Sequence, residues 1–216
     1  MFKKEALPIL VSLTTEPCAQ ATNILEIINN QPNGVKKEFG VCSKQLLFED
    51  RGFGIKFIEW VHLLRILGAH KIHLYKEKVH NDTENVVEYL HDKGYIDIKP
   101  FKAPSNLNDT TFHTSLRRTL EINLLHDCLY RVKNLYEYIV VVDTDEVIMP
   151  MLENHKTWHD LVKQIKNTYR RELDAYVAKY VTYLHYDQKN HDDGMEEIPE
   201  HLYMLRHIYV NIQSFF

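Results

Sequence analysis

Two carboxylates one residue apart, Asp143 and Asp145, follow the run Tyr138-Ile139-Val140-Val141-Val142. A β-branched run of that length is too short for a buried helix and reads as a central parallel strand covered on both faces. The pair therefore stands at the carboxyl end of a buried strand, where open α/β sheets bind ligands. Hard oxygen donors there suit Mn²⁺ or Mg²⁺ carrying a phosphate, so the chemistry predicted is a metal-diphosphate site. The plainer alternative makes both aspartates turn residues that end the strand and cap the next segment.

Such a site needs a sheet around it, and the chain is long enough to supply one. With 216 residues, 44% hydrophobic and 26% charged, it can bury the core of one domain and lies outside the disordered and fibrous classes. A formal net charge of -4 with scattered Lys and Arg offers no basic face, which argues against nucleic acid and anionic membrane as partners and favours a small ligand. Cys18, Cys42 and Cys128 have no metal-ligand spacing; one bridge with a spare thiol and three buried thiols both fit. The longest early apolar run, residues 7–13, is broken by Pro8 and Ser12, which predicts neither signal peptide nor membrane anchor and a soluble chain.

Residues 1–37 read as a lead-in, with a strand near 9–13 and a turn at Gln31-Pro32-Asn33-Gly34. Residues 39–44 are the first strand of the domain. Phe57, Ile58, Val61, Leu64 and Leu67 then recur at helical spacing up to Gly68. A strand at 71–75, a helix at 82–93 stopped by Gly94, and a strand at 95–99 closed by Pro100 complete a βαβαβ half of the mononucleotide-binding kind. A polar loop at 104–114 and a helix at 115–131 lead into the acid-ended strand. Beyond it, strands are predicted at 147–150 and 175–183, with a helix at 157–169 between them. No Gly-x-Gly-x-x-Gly and no P-loop is present, which disfavours a Rossmann dinucleotide site and a Walker-type ATPase.

The order and spacing of several short motifs resemble glycosyltransferase family 92. They are residues 36–44, Phe57-Ile58-Glu59-Trp60, Leu67-Gly68-Ala69-His70-Lys71, Tyr136-Glu137-Tyr138-Ile139, the stretch from Asp143 to Pro150, and Leu202-Tyr203-Met204-Leu205-Arg206-His207-Ile208-Tyr209, so that the likeness runs from about Pro8 to the end. The resemblance implies a GT-A-like α/β fold: a Rossmann-type, mostly parallel central sheet flanked by helices, over 38–216. It further implies inverting transfer of a hexose, typically galactose, from a UDP-sugar to a glycan or glycoprotein acceptor, usually with Mn²⁺. Asp143 and Asp145 then match the family's Asp-x-Asp, the second carboxylate on the metal and the first on the ribose or a metal-bound water. Glu146, one residue further on, supports the turn or orders the metal's ligands from behind. Lys44 and Tyr75, ending the first two strands, are placed near the nucleotide, Lys44 for phosphate or uracil oxygens and Tyr75 for stacking. Members of the family usually carry a membrane anchor before this region and further residues after it, so the resemblance implies a Golgi or other secretory-pathway protein and a truncated domain, incomplete at its C-terminus.

Other residues have two readings each. Arg117 and Arg118 reach a diphosphate or lie on a solvated helix face; Asp127 orders the donor site or bonds Arg131 one turn on. His185 is a substitute metal ligand or an ordinary histidine among 13. The acidic stretch Asp187, Asp192, Asp193, Glu196 and Glu197 holds the general base or is a solvated loop. Two alternative functions remain. One is a non-catalytic remnant. The other is a haloacid-dehalogenase-like phosphatase, with Asp143 as nucleophile, against which stand the three βα units that precede the motif.

Overall fold

The computed structural model describes residues 8–28, 34–103, 113–151, 154–170, 173–179, 199 and 202–204. The chain divides into two compact units, 1–35 and 36–216. In the first, β1 (Leu10–Val11) and β2 (Leu25–Glu26) pair antiparallel, Leu10 opposite Glu26. The strand expected at 9–13 is thus only two residues long. The Asn23 side chain accepts a hydrogen bond from the Leu13 amide at 2.8 Å and so helps close the hairpin.

The second unit is built on a four-stranded, all-parallel sheet. Its strands are β3 (Lys37–Phe48), β4 (Ala69–Val79), β5 (Ile96–Pro100) and β6 (Tyr136–Val141), in the spatial order β5-β4-β3-β6. The helices α1 (Phe53–Leu67) and α2 (Asn81–Asp92) connect the first three strands, α3 (His113–Val132) leads from β5 to β6, and α4 (Trp158–Tyr169) comes after β6. The order of strands reverses at β3. The chain builds outward from β3 through β4 to β5, then crosses back to lay β6 on the other side of β3. That is the switch point at which a parallel sheet leaves a crevice at its carboxyl edge.

Each face of the sheet has its own core. On one, α1 buries Phe57, Trp60, Val61, Leu64 and Leu67 against Phe39, Val41 and Leu46 of β3 and Ile72 and Leu74 of β4. Val87 and Leu90 of α2 and Trp158 of α4 join the same cluster. On the other face, Leu124, Cys128 and Val132 of α3 cover Cys42, Tyr75 and Tyr136. The alternation along β3 explains the partition, since successive side chains point to opposite faces. Gly40 is required at its position because the Tyr136 ring occupies the space beside it: a Cβ there would lie 2.4 Å from Tyr136 Cδ2.

Helix ends follow local chemistry. Gly68 at φ +122 ends α1, its amide donating to the Arg65 carbonyl at 3.1 Å. Asp160 and Thr157 form a capping box at the start of α4. Two expected strands differ. Residues 147–150 have no regular structure; Pro150 lacks a ladder donor, and the Ile148 carbonyl accepts from the Trp158 indole at 2.7 Å instead. Residues 175–179 are also irregular, with Tyr176 edge-on to Tyr138 at 6.1 Å, while 180–183 lie outside the described residues. No helix among the described residues is long and apolar enough to cross a membrane.

Candidate functional site

β6 stops at Val141, while the neighbouring β3 runs on along β4 to Phe48. Cys42 pairs with Val141, so Lys44 and Asp143 each stand two residues past the last pair at the switch point. Lys44 Nζ lies 2.6 Å from Asp143 Oδ2 and 3.4 Å from Glu121 Oε2 of α3. Glu121 also faces Arg117, one turn earlier, at 3.5 Å. The result is a row of alternating charge, Arg117, Glu121, Lys44, Asp143, running from α3 across β3 to β6. The hydrogen bond to Asp143 is the main reason the Lys44 pKa is raised above 10.5, outweighing its partial burial.

The turn after β6 is held from inside. The Glu146 carboxylate accepts from the Asp143 amide at 3.0 Å, and the Glu146 amide donates back to the Asp143 carbonyl at 3.0 Å. Glu146 is therefore the brace of the turn, as its place in the sequence implied. The buried Trp60 indole donates to the Glu146 carbonyl at 2.9 Å, fastening the turn to α1. Asp143 and Asp145 consequently share one rigid loop, Asp145 being the more exposed.

These residues line a cavity of about 410 Å³, large enough for most of a nucleotide. The lining includes the charged side chains Lys44, Arg117, Glu121, Asp143 and Asp145. It also includes Phe48, Phe53, Tyr203 and Met204, with the Lys56 ammonium 4.3 Å above the Tyr203 ring. Phe48 and Phe53 stack on each other with centroids 3.5 Å apart, facing across the loop between β3 and α1. Glu59 of α1 accepts the Met204 amide at 2.9 Å and so anchors that wall. Burial, then the nearby charges of Asp145 and Glu59, push the Tyr203 hydroxyl pKa up.

Three consecutive residues of β3, Ser43, Lys44 and Gln45, line the cavity, which a regular strand would forbid. A register shift between Cys42 and Gln45 permits it: Cys42 pairs with His73 and Gln45 with Tyr75, three steps on β3 against two on β4. The bulge leaves Ser43 Oγ and Gln45 Oε1 buried with no hydrogen-bond partner.

Lys44, Asp143 and Asp145 are thus brought together, and Arg117 joins them. Tyr75 is not. Its hydroxyl is engaged below α3, donating to Asp127 and accepting from Arg131 Nη2 at 2.7 Å, and it is absent from the cavity lining. Its side chain points to the α3 face, where burial raises its pKa. Asp127 bonds Arg131 at 2.8 Å, the structural one of its two readings, and Arg118 is exposed outside the lining. His185, Asp187, Asp192, Asp193, Glu196 and Glu197 lie outside the described residues.

Among the described residues no three His, Cys, Asp or Glu side chains form a ligand cluster. Two aspartates with hard oxygens still fit Mn²⁺ or Mg²⁺, which such sites hold jointly with phosphate oxygens and water. The lining carries three cations, Lys44, Lys56 and Arg117, and three carboxylates, Glu121, Asp143 and Asp145. Cys42 and Cys128 form a disulfide with Cα atoms 6.0 Å apart, tying α3 to β3 directly below Lys44. Cys18 is a free, exposed thiol.

The model of glycosyltransferase family 92 matches residues 37–212. This chain belongs to glycosyltransferase family 92. A glycosyltransferase family 92 protein of Caenorhabditis elegans is 24% identical over 134 residues, a match that takes in 60% of this chain and 25% of the relative's length. The family match begins where β3 begins and includes the entire parallel sheet. Its α/β architecture is the GT-A-like, Rossmann-type arrangement that the motifs implied. Membership also counts against the phosphatase alternative, as does the position of the acidic motif on the last of the four strands.

Proposed function

We propose that this family 92 chain carries the donor site of a metal-dependent, inverting hexosyltransferase that takes a UDP-sugar, galactose being the favoured hexose, and serves a glycan acceptor. The observation that carries the reading is the meeting of Lys44, Asp143 and Asp145 in a cavity lined by both charged and aromatic side chains. The charged side chains match a diphosphate. Phe48, Phe53 and Tyr203 match a flat heterocycle.

In this reading Asp145 and Asp143 would hold Mn²⁺ or Mg²⁺, whose chemistry is to neutralise charge on the departing diphosphate. Lys44 and Arg117 face the same leaving group and stabilise it by charge-assisted hydrogen bonds. The Glu146 brace and the Trp60 bond keep both aspartates in place before a ligand arrives, so little reorganisation accompanies binding. The Cys42–Cys128 disulfide supports an oxidising compartment of the secretory pathway, such as the Golgi.

Calorimetric titration of UDP in the presence and absence of Mn²⁺ tests the site. Binding is expected to need the metal and to weaken at least about tenfold in Asp145→Ala. A parent chain that binds no UDP under any metal condition would refute the donor site and leave the non-catalytic remnant. Metal-independent binding that ignores the substitution would remove Asp145 from it.

A further inference from the structure

The Lys44–Asp143 ion pair raises a question that the donor-site reading leaves open. A divalent cation approaching Asp143 meets an ammonium already seated 2.6 Å from the carboxylate. Lys44 also has an alternative partner, since Glu121 Oε2 stands 3.4 Å away on α3. Glu121 in turn shares its charge with Arg117. Lys44 therefore stands between two carboxylates, with Asp143 the closer and Glu121 in reserve. Lys44 stays on the α3 side of β3, within reach of Glu121, at the register shift that follows Cys42.

We infer that Lys44 is an internal counter-ion that competes with the divalent cation for Asp143, so that metal and nucleotide diphosphate bind cooperatively and the metal alone binds weakly. The inference rests on the donor-site reading above. Without nucleotide, Lys44 neutralises Asp143 and repels a second cation. When a diphosphate enters, its oxygens offer the ammonium a new partner. Lys44 leaves Asp143 for the phosphate, and both aspartates then face the metal together with the phosphate oxygens. No bond to carbon changes in this exchange; one ion pair is traded for another. By linkage, whatever factor the nucleotide adds to metal affinity, the metal adds to nucleotide affinity.

The test separates this role from simple phosphate binding by a change of sign. Mn²⁺ binding to the whole chain is followed by electron paramagnetic resonance of free Mn²⁺, with and without UDP. For the wild type, UDP is expected to tighten Mn²⁺ binding at least about tenfold. In Lys44→Met, Mn²⁺ alone is expected to bind about three- to tenfold more tightly, the scale of a partly exposed ion pair, whereas Mn²⁺ with UDP binds more weakly than in the wild type. Lys56→Met removes a charge from the same cavity without touching Asp143 and controls for general field; it is expected to change Mn²⁺ affinity less than about twofold. Lys44→Gln repeats the comparison if the methionine variant does not fold. If the wild type binds Mn²⁺ and UDP together but Lys44→Met leaves the affinity for Mn²⁺ alone unchanged, or alters it no more than Lys56→Met does, the counter-ion role is overturned and the donor site stands. If the wild type binds no UDP with Mn²⁺, the donor-site reading falls and this inference with it.

Discussion

At the scale of single residues, the site depends on groups that contact no ligand. Glu146 shows this best, because its carboxylate caps the Asp143 amide and its own amide closes the turn. Glu146→Ala is expected to cost about 1 kcal/mol of stability in urea unfolding and to weaken Mn²⁺-dependent UDP binding several-fold without abolishing it. A metal ligand at that position would instead lose binding outright, and the same titration reads both. Gly40 is a second such residue. Gly40→Ala drives a methyl into the Tyr136 ring, which is buried and has nowhere to go; a loss of about 1–3 kcal/mol is expected by chemical denaturation. Asp143 and Asp145 were legible from sequence because an apolar run ending in acid has few other uses. Ser43 and Gln45 were not, since a β-bulge has no residue-type signature, and alternation assigned them no common face with Lys44. Phe48 and Phe53 carried a signal that went unused: two aromatics bracket the first strand-to-helix loop, where mononucleotide-binding halves receive their ligand.

The helix α3 and the sheet beneath it meet through a polar network, a different problem from the apolar packing of α1. His73 bridges Asp97 and the Tyr136 hydroxyl, each at 3.0 Å. Arg131 reaches Asp127, the Tyr75 hydroxyl and, at 3.8 Å, Asp97. The hydrogen bond from His73, aided by the charge of Arg131 and resisted by burial, holds the Asp97 carboxyl below its ordinary 3.8. For Asp127, burial alone would raise the pKa, and the bonds from Tyr75 and Arg131 together overcome it. Both folded pKa values lie under the unfolded ones, so the stability they contribute is present above about pH 4 and is lost as pH falls through the depressed values. Melting temperature recorded from pH 7 down to pH 3 should fall most steeply at the acid end, and Asp97→Asn should flatten that slope. An unchanged slope would take Asp97 out of the network's energetics. The elements themselves were readable from spacing: α1, α2 and α4 follow 3.6-residue apolar periodicity, with Gly68 and Thr157 as caps and Gly94, at φ +71, just past the Lys93 cap of α2. Residues 147–150 failed because β-propensity was followed where an indole had claimed the backbone carbonyl. Tyr75 does not end its strand, since β4 runs on to Val79, and its hydroxyl is engaged by Asp127 and Arg131 of α3.

For the molecule as a whole, the disulfide joins residues 86 apart and holds the α3 layer to the central strand. Closing so long a loop restricts the unfolded chain, and replacing Cys42 and Cys128 together by Ala is expected to remove about 2–5 kcal/mol. Urea unfolding of the variant against the oxidised parent measures it. Thiol titration in denaturant should find one reactive group, Cys18, before reduction and three after it. A count of three before reduction would mean that the bridge does not form. Spacing alone could not have settled the pairing, because it depends on which face of β3 carries Cys42 and on where α3 lies across it.

The pairing of β6 with β3 also bears on how the protein folds. Lys44 and Asp143 are far apart along the chain and become neighbours only when the last strand docks beside the first, the least local of the parallel pairings in the sheet. Such a pairing closes the largest loop and forms late, so the donor pocket is among the last features the molecule acquires. A ligand seated there binds the finished sheet and no earlier species. At a hundred times its dissociation constant it would deepen the native state by about 2.7 kcal/mol. Because it finds no site until β6 has docked, such a ligand would slow unfolding and leave the rate of folding unchanged.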